Sequence, residues 1–211
     1  PAHPVAAMLI QLAGVPIAAP SANPHQGVSP TRAAHVEAGL GAKVDVIVDG
    51  GATEVGLEST VLSLTDQTPR ILRPGGVTKS MLEAVVGKVV YGEDVTVEDN
   101  DRRRPSPGMA AKHYAPGADV TVAPLEELRA KAPRRGQRGW ILLDGDRARS
   151  EPAAPEDETC VLDAHPDAYA AQLYDALHRL DGAGCEWIGI EAPPKGEAWR
   201  AIWDRLRRAA A

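Results

Sequence analysis

Residues 92–118 divide this chain into two tracts that cannot share one continuous sheet-and-helix pattern. Gly92-Glu93-Asp94 is followed by a charged run, Glu98 to Arg104, and then by Pro105-Ser106-Pro107-Gly108. Charge without apolar periodicity supplies no face to bury, and paired prolines break both helices and strands. The stretch therefore reads as a linker, and each flank must find its own core. With 20 Gly and 18 Pro among 211 residues, loops and turns are prominent on both sides. With no Phe in the chain, the cores must be filled by aliphatic side chains and Ala.

Before the linker, Val5, Met8, Leu9 and Leu12 fall on one helical face, and Gly14 stops that helix. Residues 15–19 and 44–48 read as short buried strands. Ser29-Pro30 reads as a helix start, with Ser as cap and Pro in the first turn, and the helix runs to about Gly39. Ser59 to Leu64, a turn at Asp66-Gln67-Thr68-Pro69, and Arg70 to Arg73 form a hairpin. A helix follows from about Thr78 to Val86. After the linker, strands at 120–122, 139–143, 159–162 and 187–190 are interleaved with helices near 124–131, 166–181 and 196–209. Apolar strands alternating with helices imply a small parallel sheet with covered faces. The fold class is α/β throughout.

Several functions are excluded early. The net charge of −6 argues against a dedicated nucleic-acid binder, which needs a cationic field. Cys160 and Cys185 match no metal-binding spacing and read as buried, inert thiols of a reducing cytosol. No apolar run reaches the length of a membrane span, and no leader is recognisable, so the expected location is cytoplasmic. Gly75-Gly76-Val77-Thr78-Lys79-Ser80 lacks the Gly-Lys pair of a phosphate loop. Gly182-Ala183-Gly184 follows a helix and is no dinucleotide fingerprint.

Four polar segments and one linker string remain. Ala19-Pro20-Ser21-Ala22-Asn23 ends an expected strand, where ligands of open α/β sheets bind. Ser29-Pro30-Thr31 would offer a helix N-terminus to phosphate. Glu58-Ser59-Thr60 follows a Gly-rich turn, and Arg73-Pro74-Gly75 ends a strand with a guanidinium fork suited to phosphate. Ser106 to Pro116, containing Lys112, His113 and Tyr114, has the makings of a lid. Each segment taken alone is also an ordinary turn, cap, strand edge or surface cation.

In order and spacing, these segments together resemble the threonylcarbamoyl-AMP synthases, and the C-terminal run Ile202 to Ala210 resembles their second domain. The resemblance implies the later portion of a YrdC-like twisted α/β domain (1–91), a linker with a His-Tyr lid motif (92–118) and a small Rossmann-like parallel α/β domain (119–211). It implies condensation of L-threonine, bicarbonate and ATP, with magnesium, to threonylcarbamoyl-AMP and pyrophosphate, for tRNA threonylcarbamoyladenosine formation. By the same resemblance Ser21, Ser29, Arg73 and Tyr114 contact ATP, and Ala19 (through its backbone) and Ser59 contact threonine. Asn23, Thr31, Thr60 and His113 are supporting residues. None of these side chains is a covalent nucleophile, so positioning and charge neutralisation carry the chemistry. The implied partners are the downstream threonylcarbamoyl-transfer machinery, a weak tRNA contact and a second copy of the chain, with no membrane.

Two departures accompany the resemblance. His25-Gln26 stands where the family often has a Ser-Gly or Phe-Gly pair. Pro1-Ala2-His3-Pro4 matches a helix start deep inside the catalytic domain, upstream of which the family has a basic strand for ATP and bicarbonate. The expectation is an incomplete, poorly active portion of the synthase. The alternative is an RNA-binding module using Arg102-Arg103-Arg104, the stretch Arg129 to Arg138, and Arg205 to Arg208.

Overall fold

The structure, a computed structural model, describes residues 1–92, 114–144 and 156–211. The lid string up to His113 lies outside the described residues, as do Arg102, Arg103 and Arg104.

The first helix, α1 (Pro4–Ala13), has Pro at its start and ends at Gly14, whose left-handed backbone sends its N–H to Ile10 O. Its apolar side chains, including Met8, Leu9 and Leu12, are exposed. The two strands expected at 15–19 and 44–48 are absent: both segments are irregular, with Val15, Ile17, Val46 and Val48 exposed. A strand exists only through its ladder partners, and among the described residues none lies beside either segment. The second helix, α2 (Ala33–Leu40), begins three residues later than expected, with Arg32 rather than Ser29 at its cap.

The hairpin forms as the alternation predicts. Strands β1 (Val61–Ser63) and β2 (Arg70–Arg73) pair antiparallel. Helix α3 (Lys79–Val86) follows, its Thr78 cap accepting a hydrogen bond from the Met81 N–H. A two-residue strand that the sequence reading missed, β3 (Val90–Tyr91), adds to β2 in parallel. Ile71, Val89 and Tyr91 form a small core under this sheet.

The second unit is a four-stranded parallel sheet in the order β4 (Asp119–Ala123), β7 (Trp187–Glu191), β5 (Arg138–Leu143), β6 (Glu158–Leu162). Its side chains alternate between faces. Trp140, Leu142 and Trp187 pack with Leu125 and Leu128 of α4 (Leu125–Lys131) on one face. Ile141, Ile188 and Ile190 pack on the other with α5 (Pro166–Gly182) and α6 (Arg200–Ala209). In α5 the buried positions Tyr169, Leu173, Tyr174, Ala176, Leu177 and Leu180 make one helical stripe. Val28 and Tyr114, from the chain before β4, are buried in this same cluster. Val28 of the first unit and Tyr114 of the linker thus complete the second unit's core.

Candidate functional site

Two glycines bring the polar segments together. Gly56 has φ +73° and sits so close to α5 that an added Cβ would stand 2.4 Å from Ala170 O. Gly75 presses on the Glu58-Ser59-Thr60 backbone, where a Cβ would lie 2.3 Å from Thr60 N. The Arg73-Pro74-Gly75 turn and the Glu58-Ser59-Thr60 segment are therefore stacked, backbone on backbone.

Glu58 is the hub of the site. Its Oε1 accepts from Ser29 Oγ at 2.5 Å, and its Oε2 accepts from Tyr174 OH at 3.2 Å and from Arg205 Nε at 2.7 Å. Burial pushes the carboxyl pKa up, but the Arg205 charge and the hydrogen bonds from Ser29 and Arg205 outweigh it and hold the group below the ordinary carboxylate range. Arg205 is 1% exposed on the apolar stripe of α6, and its pKa is raised by Tyr174, Glu58 and Asp204 despite desolvation.

Arg73 is also buried. Its Nε and Nη2 both donate to Ser59 O, at 3.2 and 3.1 Å, and its Nη1 donates to Tyr114 OH at 3.4 Å. Tyr114 holds φ +60°, stacks on Tyr174 at 5.9 Å, and lies 5.2 Å beneath the Arg205 guanidinium. Burial and Glu58 raise the Tyr114 pKa, so its hydroxyl keeps its proton.

Ser29 differs from the expectation. It caps no helix; it is buried, and its carbonyl faces His178 Nε2 at 3.1 Å. A carbonyl only accepts, so His178 carries a proton on Nε2. The Thr31 N–H donates to His35 Nδ1 at 3.2 Å, which places the neutral His35 proton on Nε2, 3.4 Å from Asp175. Burial, then the neighbouring His178, lowers the His35 pKa, against the opposing pull of Asp175. The two imidazoles stack at 3.9 Å.

The remaining expected residues separate into three groups. Ser21 and Ser29 line a cavity of about 640 Å³ together with Glu54, Glu58 and Tyr174. Ser59 and Thr60 line another of about 610 Å³ beside Gly75 and Arg200, and Thr60 Oγ1 is committed to Val77 O at 2.7 Å. Asn23 closes its own loop by donating to Pro24 O and Gly27 O, while Ala19 is exposed on irregular chain. Thus Ser29 bonds Glu58 directly, Arg73 and Tyr114 form a pair held on the Ser59 carbonyl, and Ser21 shares the cavity wall with Ser29.

Sequence reasoning named Glu58 only as part of its segment and Arg205 only as part of a basic surface, and it missed Tyr174, His178 and His35. One signal was present: Arg205 occupies a position in the apolar stripe of Ile202, Leu206 and Ala209. Among the described residues of the basic stretches offered as an RNA surface, several cations are paired with nearby carboxylates. Arg205 and Arg208 pair with Asp204, Arg129 with Glu126, and Arg138 with Asp157. Among the described residues, no three carboxylate, histidine or cysteine side chains converge as a metal cage. Cys160 and Cys185 are buried free thiols whose pKa burial raises. No helix among the described residues is long and apolar enough to cross a membrane.

A family model described as "Threonylcarbamoyl-AMP synthase, C-terminal domain" matches residues 77–211. The chain belongs to the threonylcarbamoyl-AMP synthase family. A second model, described as "Telomere recombination", matches residues 1–75. The threonylcarbamoyl-AMP synthase of Bacillus subtilis is 39% identical over 215 residues, spanning 100% of this chain and 61% of the relative. The Pyrococcus abyssi synthase is 36% identical, over 99% of this chain and 62% of the relative, and the Schizosaccharomyces pombe synthase is 42% identical over 100% and 56%. The chain thus spans about three-fifths of the length of these relatives. It superposes on the crystal structure of Pyrococcus abyssi Sua5 complexed with L-threonine with a TM-score of 0.85 at 36% identity, covering 100% of this chain and 62% of that one. A variant of that protein with one histidine and one tyrosine replaced by alanine gives a TM-score of 0.82 at 34% identity, covering 100% and 61%. The synthase-family fold and membership expected from the motifs are borne out.

Proposed function

We propose that this chain carries ligand-holding machinery of an L-threonylcarbamoyladenylate synthase. The reaction joins L-threonine, bicarbonate and ATP into threonylcarbamoyl-AMP, with release of pyrophosphate, and serves threonylcarbamoyladenosine formation in tRNA. The observation that carries this reading is one linked polar network in a chain of this family: Ser29 donates to the partly buried Glu58 carboxylate, and Arg73 joins the carbonyl of the next residue, Ser59, to the Tyr114 hydroxyl. The L-threonine complex of the Pyrococcus abyssi relative supports threonine as the amino acid.

The threonine amine adds to bicarbonate and water leaves, giving a carbamate. A carbamate oxygen then attacks the α-phosphorus of ATP, and the bond to the β-phosphate oxygen breaks with pyrophosphate departing. Ser21, Ser29, Arg73 and Tyr114 are assigned to the nucleotide, and Ser59 with the Ala19 backbone to threonine. The guanidinium of Arg73 neutralises phosphate charge, and the hydroxyl groups orient the reactants. Asn23, Thr31 and Thr60 brace the loops that carry these groups. Magnesium enters as the ATP complex, since an ion of this kind binds through substrate phosphates and few carboxylates. We assign 1–91 to the catalytic unit, 92–118 to the linker and 119–211 to the second domain.

The test is ATP consumption with product detection by mass spectrometry, varying threonine and bicarbonate. Adduct formation should require both. Arg73→Ala should weaken ATP binding by about 10- to 150-fold, the worth of a charge-assisted hydrogen bond. Nucleotide binding unaffected by Arg73→Ala, or pyrophosphate release indifferent to threonine, overturns the assignment.

A further inference from the structure

Among its described residues the second unit has no polar cluster of its own that the proposed reaction uses, yet it sends a buried cation, Arg205, out of its own core. Arg205 lies among Ile202, Leu206 and Ala209, where an aliphatic side chain would pack without the desolvation penalty of a guanidinium. It spends its fork on two partners. Nε meets Glu58 Oε2 at 2.7 Å, Nη2 meets Glu58 O at 3.4 Å, and Nη1 meets Asp204 Oδ2 at 2.6 Å. Asp204 is itself held by Arg208 one turn on, so the fork has a fixed base.

The other carboxylate oxygen of Glu58 takes the Ser29 hydroxyl, and the Ser29 carbonyl is held by His178 of α5. Ser29 is therefore gripped at both ends by groups anchored in the second unit. A serine has one proton and two lone pairs. With the proton committed to Glu58, the oxygen presents only lone pairs to the 640 Å³ cavity that Ser29 lines. Such an oxygen accepts from a hydroxyl or amino group of a ligand and does not donate to a phosphate oxygen.

We propose that Arg205 is a positioning residue, which through Glu58 fixes the Ser29 hydroxyl as an acceptor facing the ligand cavity, so that the second domain sets the grip of the first on a ligand's hydroxyl or amino groups. This rests on the proposed nucleotide role of Ser29. Its energetic core, the relay from Arg205 to Ser29, does not.

Two measurements on the whole protein separate the readings. The first needs no ligand. Arg205→Met, Ser29→Ala and the double variant are unfolded in urea. Arg205 and Ser29 share Glu58 without touching each other, so a relay makes their effects non-additive, with an unfolding equilibrium constant departing about five-fold or more from the product of the single effects. The second compares steady-state kinetics. Arg205→Met should raise KM for ATP about ten-fold, with kcat within about two-fold, the pattern of lost binding common to ground and transition states. Arg205→Lys, which keeps the charge and loses the fork, should recover part of it. Glu58→Gln, nearly isosteric, turns the partner of Ser29 into a potential donor and should reproduce the KM defect even if Arg205→Met folds poorly. Additive unfolding effects, or an unchanged KM in both Arg205→Met and Glu58→Gln, overturn the proposal. A wild-type protein that folds but binds no ATP removes the nucleotide role alone, and the unfolding cycle still decides the relay.

Discussion

Gly56→Ala is the sharpest test of how the two units are joined. Gly56 holds φ +73°, a backbone region that costs an alanine about 1–2 kcal/mol. The new methyl would also stand 2.4 Å from Ala170 O and 2.5 Å from Ala171 Cα, both main-chain atoms of α5 that cannot rotate away. Overpacking of this kind costs about 1–3 kcal/mol. Together the loss is about 2–5 kcal/mol, a large share of the roughly 5–15 kcal/mol that holds a typical domain folded. For a chain of this size the melting temperature should fall by roughly 4–20 °C. Gly51→Ala is the matched control: its φ is +89° with nothing within 4 Å of the added methyl, so it isolates the backbone cost. Calorimetry on both variants decides the matter. If Gly56→Ala melts within about 1 °C of Gly51→Ala, the collision with α5 contributes nothing and the close-approach argument fails.

Two further predictions follow from buried groups. Leu177→Ala, at a position 1% exposed beneath the parallel sheet, should cost about 2–5 kcal/mol by urea denaturation without moving the threonine dependence of the reaction. The lowered His35 pKa means that the unfolded chain takes up a proton first as pH falls, so stability is full above about pH 6.5 and declines below it towards the folded pKa. His35→Gln should flatten that decline in urea midpoints read between pH 7.5 and 5.5, and an equal decline in wild type and variant rules out His35 as its source.

The second unit was legible in the sequence because its elements are self-sufficient. The central strands β5 and β7 are apolar on both faces, and α5 carries its own stripe in Leu173, Leu177 and Leu180. The hairpin and the start of α3 near Thr78 were legible for the same reason, since local alternation and local hydrogen bonds define them. The stretches around Ile17 and Val46 misled because apolar runs state a need for partners without saying where the partners are. At the site, the segments carrying Ser29, Ser59 and Arg73 were readable as motifs. Their meeting point was not, because the contacts of Glu58 with Tyr174 and Arg205 close over 116 and 147 residues. No local period encodes such a pair.

The strand order of the parallel sheet has a consequence for synthesis. The last strand to be made, β7, lies between β4 and β5, so the sheet is two separate pieces until residue 191 is available. Arg205 comes later still, 147 residues after its partner Glu58. At a ribosomal pace of about 5–20 residues per second, Glu58 waits on the order of 10 s for its counter-charge. For most of that interval Glu58 has beside it neither the Arg205 cation nor the surface of α5 that carries Tyr174.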